Sequence, residues 1–381
     1  MESPNRQYLP AVDHLRAFAA LLIIFYHCCH LFYPRMVLHR VWQGTDWIHT
    51  RSFLLASVIE GHTAVSLFLV ISGFILTYGS LGRGISYRDF FWNRFLRLFP
   101  LFFFILITGA NAFRSQFQLL ALFTSVLQFG YIAGGLSFGG WAGVSWSVSV
   151  EAHLYLLFPA IRHYLNINRM WPLLRLAIIV WLVRLGALAF GADVLDVTYW
   201  TALGRVDQFL AGGVLAWLLY RYGMPRKLGM FFPAVLFGVC AILYGFHLSG
   251  GFLARQSWRV VWPTIEAVFW AVFVASYLGF SRYLPHVIDV VLRFLGRISY
   301  SLYLVHVIVI WIFAGKGWYF TIPSLTVFQN IFLTTLVLVL PVIVIISTLT
   351  YTAIEQPFLS MRRRYNAGGK GPVNQPIATA P

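Results

Sequence analysis

The sequence predicts an all-α membrane protein with about ten transmembrane helices and both termini in the cytoplasm. Of its 381 residues, 59% are hydrophobic and only 10% are charged. The mean hydropathy is +0.75, and the basic residues fall between long apolar segments. Soluble globular domains carry about a quarter charged residues, so this composition indicates a chain that crosses the membrane many times.

Eleven apolar segments are the candidate elements of this fold. Most of them are long enough to cross a hydrocarbon core of about 30 Å as a helix. The first segment contains Arg16 and His27 and has no small-residue cleavage site after it, so we expect a retained span rather than a signal peptide. The segments lie at roughly 15–33, 53–79, 98–113, 117–133, 146–165, 173–191, 204–220, 229–248, 262–280, 298–314 and 325–354.

Basic residues orient these segments, because cytoplasmic loops are enriched in Lys and Arg. If the N-terminus is cytoplasmic, the Arg-rich loops are all cytoplasmic only when the stretch 98–165 crosses the membrane twice rather than three times. This reasoning gives ten crossings, with one segment between 114 and 150 broken or re-entrant, and leaves open which one. It places 19 Lys and Arg residues inside and 7 in outer loops. The glycine-rich run 130–143 supports a break, since glycine interrupts helices.

We expect one membrane domain over 1–366 and a disordered tail over 367–381. The formal charge of +16 is assigned to cytoplasmic loops that face anionic lipid head groups, not to nucleic-acid binding. Cys28, Cys29 and Cys240 all lie in apolar segments, so they predict neither a disulfide framework nor a zinc site. We expect no metal site, and the sequence leaves the oligomeric state open.

The first span contains the strongest candidate residues, Arg16 and His27. Eleven residues of helix make about three turns and rise roughly 16 Å, so both side chains lie on one face. An ionisable residue inside a membrane is a functional candidate, and a neutral imidazole can act as a general base. The alternatives are a structural histidine and an arginine that marks the cytoplasmic boundary. Asp13 is placed to pair with Arg16, and His30 is expected at the interface.

Glu60 opens the second span from the outer side, where it either orients a histidine or lies at the interface. Arg94 and Arg97 begin the third span at the inner side, close to Pro100. They share a helix face, and their guanidinium groups suit phosphates. The alternative is a pair of positive-inside anchors.

Glu151 lies in apolar sequence five residues after Trp146 and requires a partner if buried. It either orients an imidazole or holds a sugar hydroxyl. Further along, Tyr303 and His306 share a face, and a structural histidine is as plausible there as a direct role. Arg205 and Asp207, two residues apart, do not face each other on a helix, so each is expected to have another partner.

Taken together, these motifs resemble the membrane acyltransferase-3 family, O-acyltransferases that modify bacterial polysaccharides, lipopolysaccharide and related glycans. The resemblance covers about residues 8–364, and five motifs occur in the family's order. They are Asp13-His-Leu-Arg16-Ala followed by His27, the pair Arg94 and Arg97, Trp146-Ser147 followed by Glu151, Ser299-Tyr300 followed by Tyr303 and His306, and Glu355-Gln-Pro357. His14 stands where the family usually has glycine.

The resemblance implies an acyl-CoA donor substrate, usually acetyl-CoA, taken from the cytoplasm, with no permanently bound cofactor. It implies His27 as the catalytic residue, Arg16 as its companion, and Arg94 and Arg97 as ligands of the donor phosphates. It also implies a glycan or glycolipid acceptor and a bacterial inner-membrane location. The hydrolase-like domain that is fused to some family members is not expected in this chain.

We therefore predict a membrane O-acyltransferase that moves an acyl group, most often acetyl, to a hydroxyl of a polysaccharide, lipopolysaccharide or lipid-linked sugar. Glu151, or else Glu60, would orient the imidazole of His27. Direct transfer and an acyl-histidine intermediate both stay open, as do the acyl group and the acceptor. The alternatives are a glycan or lipid transporter or flippase, because intramembrane ionisable residues also line transport paths, and a non-catalytic scaffold.

Overall fold

The computed structural model describes residues 8–44, 46–116, 118–127, 141, 143–224 and 226–367. These residues are almost entirely helical, as predicted. The helices are α1 (Pro10–Val37), α2 (Phe53–Ile59), α3 (Ala64–Tyr78), α4 (Tyr87–Ala112), α5 (Leu119–Val126), α6 (Ser145–Asn166), α7 (Trp171–Ala189), α8 (Val206–Tyr222), α9 (Phe232–Leu248), α10 (Trp262–Phe280), α11 (His286–Arg297), α12 (Ser299–Lys316), α13 (Val327–Thr334), α14 (Leu340–Thr350) and α15 (Gln356–Ser360).

Eight helical segments in the described part of the chain are long and apolar enough to cross a membrane. The helices α6 and α8, which cover two more predicted crossings, are not among these eight. The all-helical membrane fold is therefore confirmed, whereas the number of ten crossings and the side of the termini stay predictions. The glycine-rich residues 130–140 and 142, on which the re-entrant segment was placed, lie outside the described residues.

Helix α4 begins at Tyr87, well before the apolar stretch that predicted it. Ser86 caps this helix, because its Oγ accepts a hydrogen bond from the Asp89 backbone N–H at 3.4 Å. The expectation that Arg94 and Arg97 begin a span was therefore wrong. Both lie inside α4, and Pro100 is also an interior residue of this helix.

The predicted second segment is divided in two by a short 3₁₀ turn, Gly61–Thr63, between α2 and α3. This turn and helix α3 together, Gly61–Tyr78, are the most buried of the candidate membrane spans, with 89% of their residues buried inside the protein. Helix α3 crosses α8 at Gly73 and Gly212, where any Cβ would overlap backbone atoms of the other helix. Small residues permit such close helix contact in membranes.

Two buried ion pairs join helices inside the bundle. Arg184 Nη2 lies 2.9 Å from Asp207 Oδ1, and Arg205 Nη1 lies 3.1 Å from Glu266 Oε2. The expectation that Arg205 and Asp207 have separate partners is confirmed. Each pair neutralises charges that would be costly alone in a low-dielectric interior.

The C-terminal segment folds back onto the beginning of α4. The strands β1 (Gly84–Ile85) and β2 (Asn366–Ala367) pair antiparallel, and the Asn93 side chain bonds both backbone groups of Arg363 at 2.7 and 2.9 Å. Ala367, where the disordered tail was predicted to begin, is thus part of this pairing. Residues 368–381 lie outside the described residues.

Candidate active site

A cavity opens between α1, α3, α4, α6 and α12. One end is basic and the other is lined by hydroxyl and aromatic groups. The polar and aromatic side chains around it are Arg16, Phe68, Ser72, Arg94, Arg97, Ser147, Glu151, Tyr155, Ser299, Tyr300 and Tyr303. The fold therefore brings five of the predicted site residues, from four helices, to one space.

Three arginines line this cavity, and their ionic partners differ. Arg16 Nη1 lies 3.6 Å from Asp13 Oδ1, as predicted. Arg97 Nη1 lies 2.8 Å from Glu355 Oε2, which is only 2% exposed. Arg94 has no carboxylate partner among the described residues. Arg94 is thus the guanidinium best placed to bind an anionic ligand.

A fourth guanidinium, that of Arg362, lies near the same end of the cavity. Burial, together with the positive charges of Arg97 and Arg94, lowers the pKa of Arg362 to about 10. The contribution of Arg97 and Arg94 to this lower pKa shows that positive charge is concentrated here, and such a cluster favours a polyanion. Arg362 was not a predicted site residue. Arg362 comes close to the cavity because the C-terminal segment packs on α4. No local sequence pattern predicts this tertiary contact.

Glu151 lies in the cavity and does not contact His27. Its Oε1 accepts hydrogen bonds from Ser72 Oγ at 2.5 Å and from Tyr155 Oη at 2.6 Å. These two hydroxyl groups hold the carboxylate, and neither was a predicted partner. The hypothesis that Glu151 orients the imidazole of His27 was therefore wrong for this arrangement.

At the other end of the cavity, Tyr303 Oη lies 2.7 Å from Ser147 Oγ. Trp146 points into an aromatic cluster, with its ring centroid 5.0 Å from that of Tyr199 and 4.8 Å from that of Trp200. The ring of Tyr303 lies 5.7 Å from that of His306. Tyr303 therefore connects the lining of the cavity to His306, and neither His306 nor His27 is itself among the lining residues.

His306 and His27 form a hydrogen-bonded pair, although 279 residues separate them in sequence. His306 Nε2 lies 3.1 Å from His27 Nδ1. His27 Nδ1 is also 3.0 Å from the Ile23 carbonyl oxygen, and His306 Nδ1 is 3.2 Å from the Leu302 carbonyl oxygen. Carbonyl oxygens only accept hydrogen bonds, so both Nδ1 atoms carry the proton. His306 Nε2 is then the acceptor for His27 Nδ1–H.

This arrangement determines the chemistry open to His27. With the proton on Nδ1, Nε2 carries a lone pair, and it has no hydrogen-bond partner among the described residues. The side chain of His27 is partly exposed, whereas His306 is fully buried. His27 thus presents an available base or nucleophile, and His306 holds the opposite side of its ring.

Glu60 lies away from His27, in a buried group with two other histidines. Its Oε2 is 3.1 Å from His62 Nε2, and its Oε1 is 2.7 Å from His247 Nδ1. One of the two predicted roles of Glu60 was to orient a histidine. Glu60 orients two histidines, and His27 is not one of them. His30, expected at the interface, is only 4% exposed.

Comparisons with known proteins assign the chain to a family. The family model of the acyltransferase-3 domain matches residues 9–352, which is most of the chain. The chain belongs to the acyltransferase-3 family. Because the match extends from α1 to α14, all five helices around the cavity belong to the family's domain.

Relatives of this family member are named as O-acetyltransferases or acetyltransferases. It is 24% identical to a predicted O-acetyltransferase of Staphylococcus aureus (strain COL), over 92% of this chain and 57% of the relative. It is 25% identical to a peptidoglycan O-acetyltransferase of Listeria monocytogenes, over 79% of this chain and 49% of the relative. A predicted acetyltransferase of the Acidianus two-tailed virus is 23% identical over 80% of this chain and 84% of the relative.

The chain thus spans little more than half the length of the staphylococcal relative it matches. No solved structure is significantly similar to it. The family membership and the eight apolar helices together indicate an integral membrane protein.

Proposed function

We propose that this protein is a membrane O-acyltransferase that moves an acyl group, most often acetyl, from cytoplasmic acyl-CoA to a hydroxyl of a glycan or lipid-linked sugar. The observation that carries the proposal is the juxtaposition of an arginine-rich cavity with the His27–His306 pair. The names of the relatives support O-acetylation as the reaction.

The basic end of the cavity would bind the donor phosphates. Arg94 offers a guanidinium without a carboxylate partner among the described residues, and Arg16, Arg97 and Arg362 add positive charge. Charge-assisted hydrogen bonds from guanidinium groups suit phosphate and pyrophosphate. The pantetheine arm would then extend along the cavity past Ser147 and Tyr303 towards His27, a rise of roughly 16 Å from Arg16.

Transfer would take place at His27 Nε2 by one of two balanced routes. In the direct route, Nε2 takes the proton of the acceptor hydroxyl while its oxygen attacks the thioester carbonyl, and the CoA thiolate leaves and then takes up that proton. In the covalent route, Nε2 attacks the carbonyl and expels the thiolate, and the acceptor hydroxyl then displaces histidine from the acyl group while its proton passes to the thiolate. Both routes require Nε2 without a proton.

The experiment that tests the function uses sealed membrane vesicles of both orientations, carrying the protein, with acetyl-labelled acetyl-CoA added outside. We expect label on glycan or glycolipid hydroxyls only when the cytoplasmic face is exposed. Sugar-lipid flux across the vesicle without acetylation would instead establish a flippase. Label transfer from the opposite face would overturn the cytoplasmic donor.

His306 is a positioning residue in this proposal, and its substitution gives a second prediction. His306→Phe should lower kcat about 10- to 100-fold, the usual scale for misplacing a catalytic group, and leave the KM for acetyl-CoA unchanged. His306→Gln keeps an acceptor for His27 Nδ1–H and should recover part of the loss. Steady-state kinetics in nanodiscs measure both quantities. Equal kcat for the two variants would reduce His306 to a packing role.

A further inference from the structure

A second groove lies on the outer surface of α4, away from the donor cavity. Its volume is about 420 Å³, and it is lined by Arg88, Phe91, Trp92, Phe95 and Arg363. Two of these side chains are cationic and the other three are aromatic. Phe95 is 40% exposed, and both arginines are exposed as well. A ligand can therefore reach the groove without any movement of the helices.

The periodicity of α4 separates this groove from the donor cavity. Arg88, Trp92 and Phe95 follow one another at intervals of four and three residues, which places them on one face of the helix. Arg97 lies about two and a half turns after Arg88, so its side chain is on the opposite face. One face of α4 thus lines the donor cavity, whereas the other carries an aromatic and basic surface.

The aromatic wall of the groove belongs to the surface that α4 presents to the membrane. Trp92 stacks on Phe95 with ring centroids 5.8 Å apart, and Phe95 stacks on Phe99 at 4.7 Å. The groove lies at the first turns of α4, which is long and apolar enough to cross a membrane. Tryptophan at the end of such a helix is typical of the membrane interface. The groove is therefore at the depth of the lipid head groups.

The charges of the groove suit a phosphate with one negative charge. The Arg363 guanidinium lies 5.5 Å from the ring centroid of Trp92, and its Nη1 is 3.5 Å from Asp89 Oδ1. Arg88 has no carboxylate partner among the described residues. Two guanidinium groups and one carboxylate leave one net positive charge, and guanidinium groups bind phosphate well. A phosphodiester with acyl chains matches both this charge and the aromatic wall.

Arg363 connects the groove to the donor cavity through the C-terminal segment. The Asn93 side chain bonds both backbone groups of Arg363, and the Tyr365 carbonyl oxygen accepts from the Ser86 backbone N–H at 2.8 Å. The preceding residue, Arg362, lies near the basic end of the cavity. A ligand that holds Arg363 therefore also fixes the segment from which Arg362 approaches the cavity.

We propose that this groove binds an anionic phospholipid, with its phosphate between Arg88 and Arg363 and the beginning of its acyl chains against Trp92 and Phe95. The bound lipid stabilises the C-terminal segment and thereby favours binding of the acyl donor near Arg362. Only this second part rests on the proposed function. None of the four residues that bind the lipid belongs to the motifs that carried the family resemblance.

The first test measures lipid binding without any activity. Native mass spectrometry of the full-length protein, titrated with phosphatidylglycerol, gives the Kd of the tightest-bound lipid. Arg88→Gln should raise this Kd about fivefold, the usual contribution of one basic residue at an anionic membrane surface. Arg88→Lys keeps the charge and should bind as the wild type does.

The matched control is Arg221→Gln, at the end of α8. Arg221 is an exposed arginine whose guanidinium lies 5.5 Å from the ring centroid of Trp217, outside the groove. This variant should bind phosphatidylglycerol as the wild type does. An unchanged Kd in Arg88→Gln would overturn the lipid site. Displacement of the lipid by inorganic phosphate at a similar concentration would assign the groove to a soluble anion, and would also overturn it.

The second test measures the link to the donor cavity, with the KM for acetyl-CoA in nanodiscs of phosphatidylcholine with and without phosphatidylglycerol. The anionic lipid should lower this KM about fivefold in the wild type, the lower end of the usual coupling between two sites. Arg88→Gln should lose most of that difference. The surface potential of the membrane acts equally on both proteins, so it cannot cause the loss.

The outcomes separate this inference from the function on which its second part rests. A lipid that binds at Arg88 without changing the KM for acetyl-CoA would overturn the coupling. Absence of acyl transfer in every lipid mixture would instead reject the proposed function, while the lipid-binding measurement would still decide the site.

Discussion

Replacing His27 with alanine is expected to reduce acyl transfer at least 100-fold, the scale on which general base catalysis acts. The imidazole makes only two hydrogen bonds, to the Ile23 carbonyl and to His306, and its Nε2 faces no protein partner among the described residues. The substitution therefore removes the catalytic base and should have little effect on folding. Label transfer from acetyl-CoA, measured with purified protein of verified folding, gives the result.

The matched control is His163→Ala, an exposed histidine in the last turn of α6, which should transfer at the wild-type rate. Acid quenching of a single turnover without acceptor then distinguishes the two routes. Label that stays on the wild-type protein and is absent from the His27→Ala variant would establish the acyl-histidine. A His27→Ala variant that transfers normally would remove His27 from the mechanism.

Helical periodicity explains why part of the site could be predicted from the sequence. The spacing of Arg16 and His27 fixes them on one face of α1 regardless of what packs against it. The spacing of Arg94 and Arg97 does the same on α4. Local geometry of this kind survives in any tertiary arrangement, so these residues were found although the beginning of α4 was misplaced.

The partners of these residues could not be predicted, because they come from distant helices. Nothing local associates His27 with His306, or Glu151 with Ser72, since each pair depends on how helices pack. Hydropathy also did not predict that His30 would be buried inside the protein. It reports how apolar a segment is, and it does not report that the loop carrying Trp47 folds over the end of α1 and buries the histidine.

The beginning of α4 could have been predicted from the sequence. Ser86 followed by Asp89 is a helix-start pattern of the capping type, and the structure uses it. Reading only the apolar run placed the start too late. As a result, the two arginines were assigned to a helix end, where anchoring residues are common, instead of to an interior face that points into a cavity.

Substitutions of Arg94 and of Arg97 should differ in their effect on the stability of the protein and should have the same effect on donor binding. Arg97→Gln leaves Glu355, 2% exposed, with Ser301 Oγ at 2.5 Å as its remaining side-chain partner. Breaking a buried pair in this way costs about 3–5 kcal/mol, which SDS titration of the unfolding free energy will measure. Among the described residues, Arg94→Gln removes the contacts with the faces of Phe90 and Tyr155, each at 5.7 Å, and it should cost about 1 kcal/mol.

For donor binding, each substitution should raise the KM for acetyl-CoA roughly 10- to 100-fold, since a charge-assisted hydrogen bond to phosphate is lost. The double variant Arg97→Gln/Glu355→Gln separates the two roles of Arg97. It replaces the buried ion pair with two neutral amides, so stability should return while the donor KM stays high. Recovery of both quantities would mean that Arg97 only neutralises Glu355, and that Arg94 and Arg362 bind the phosphates without it.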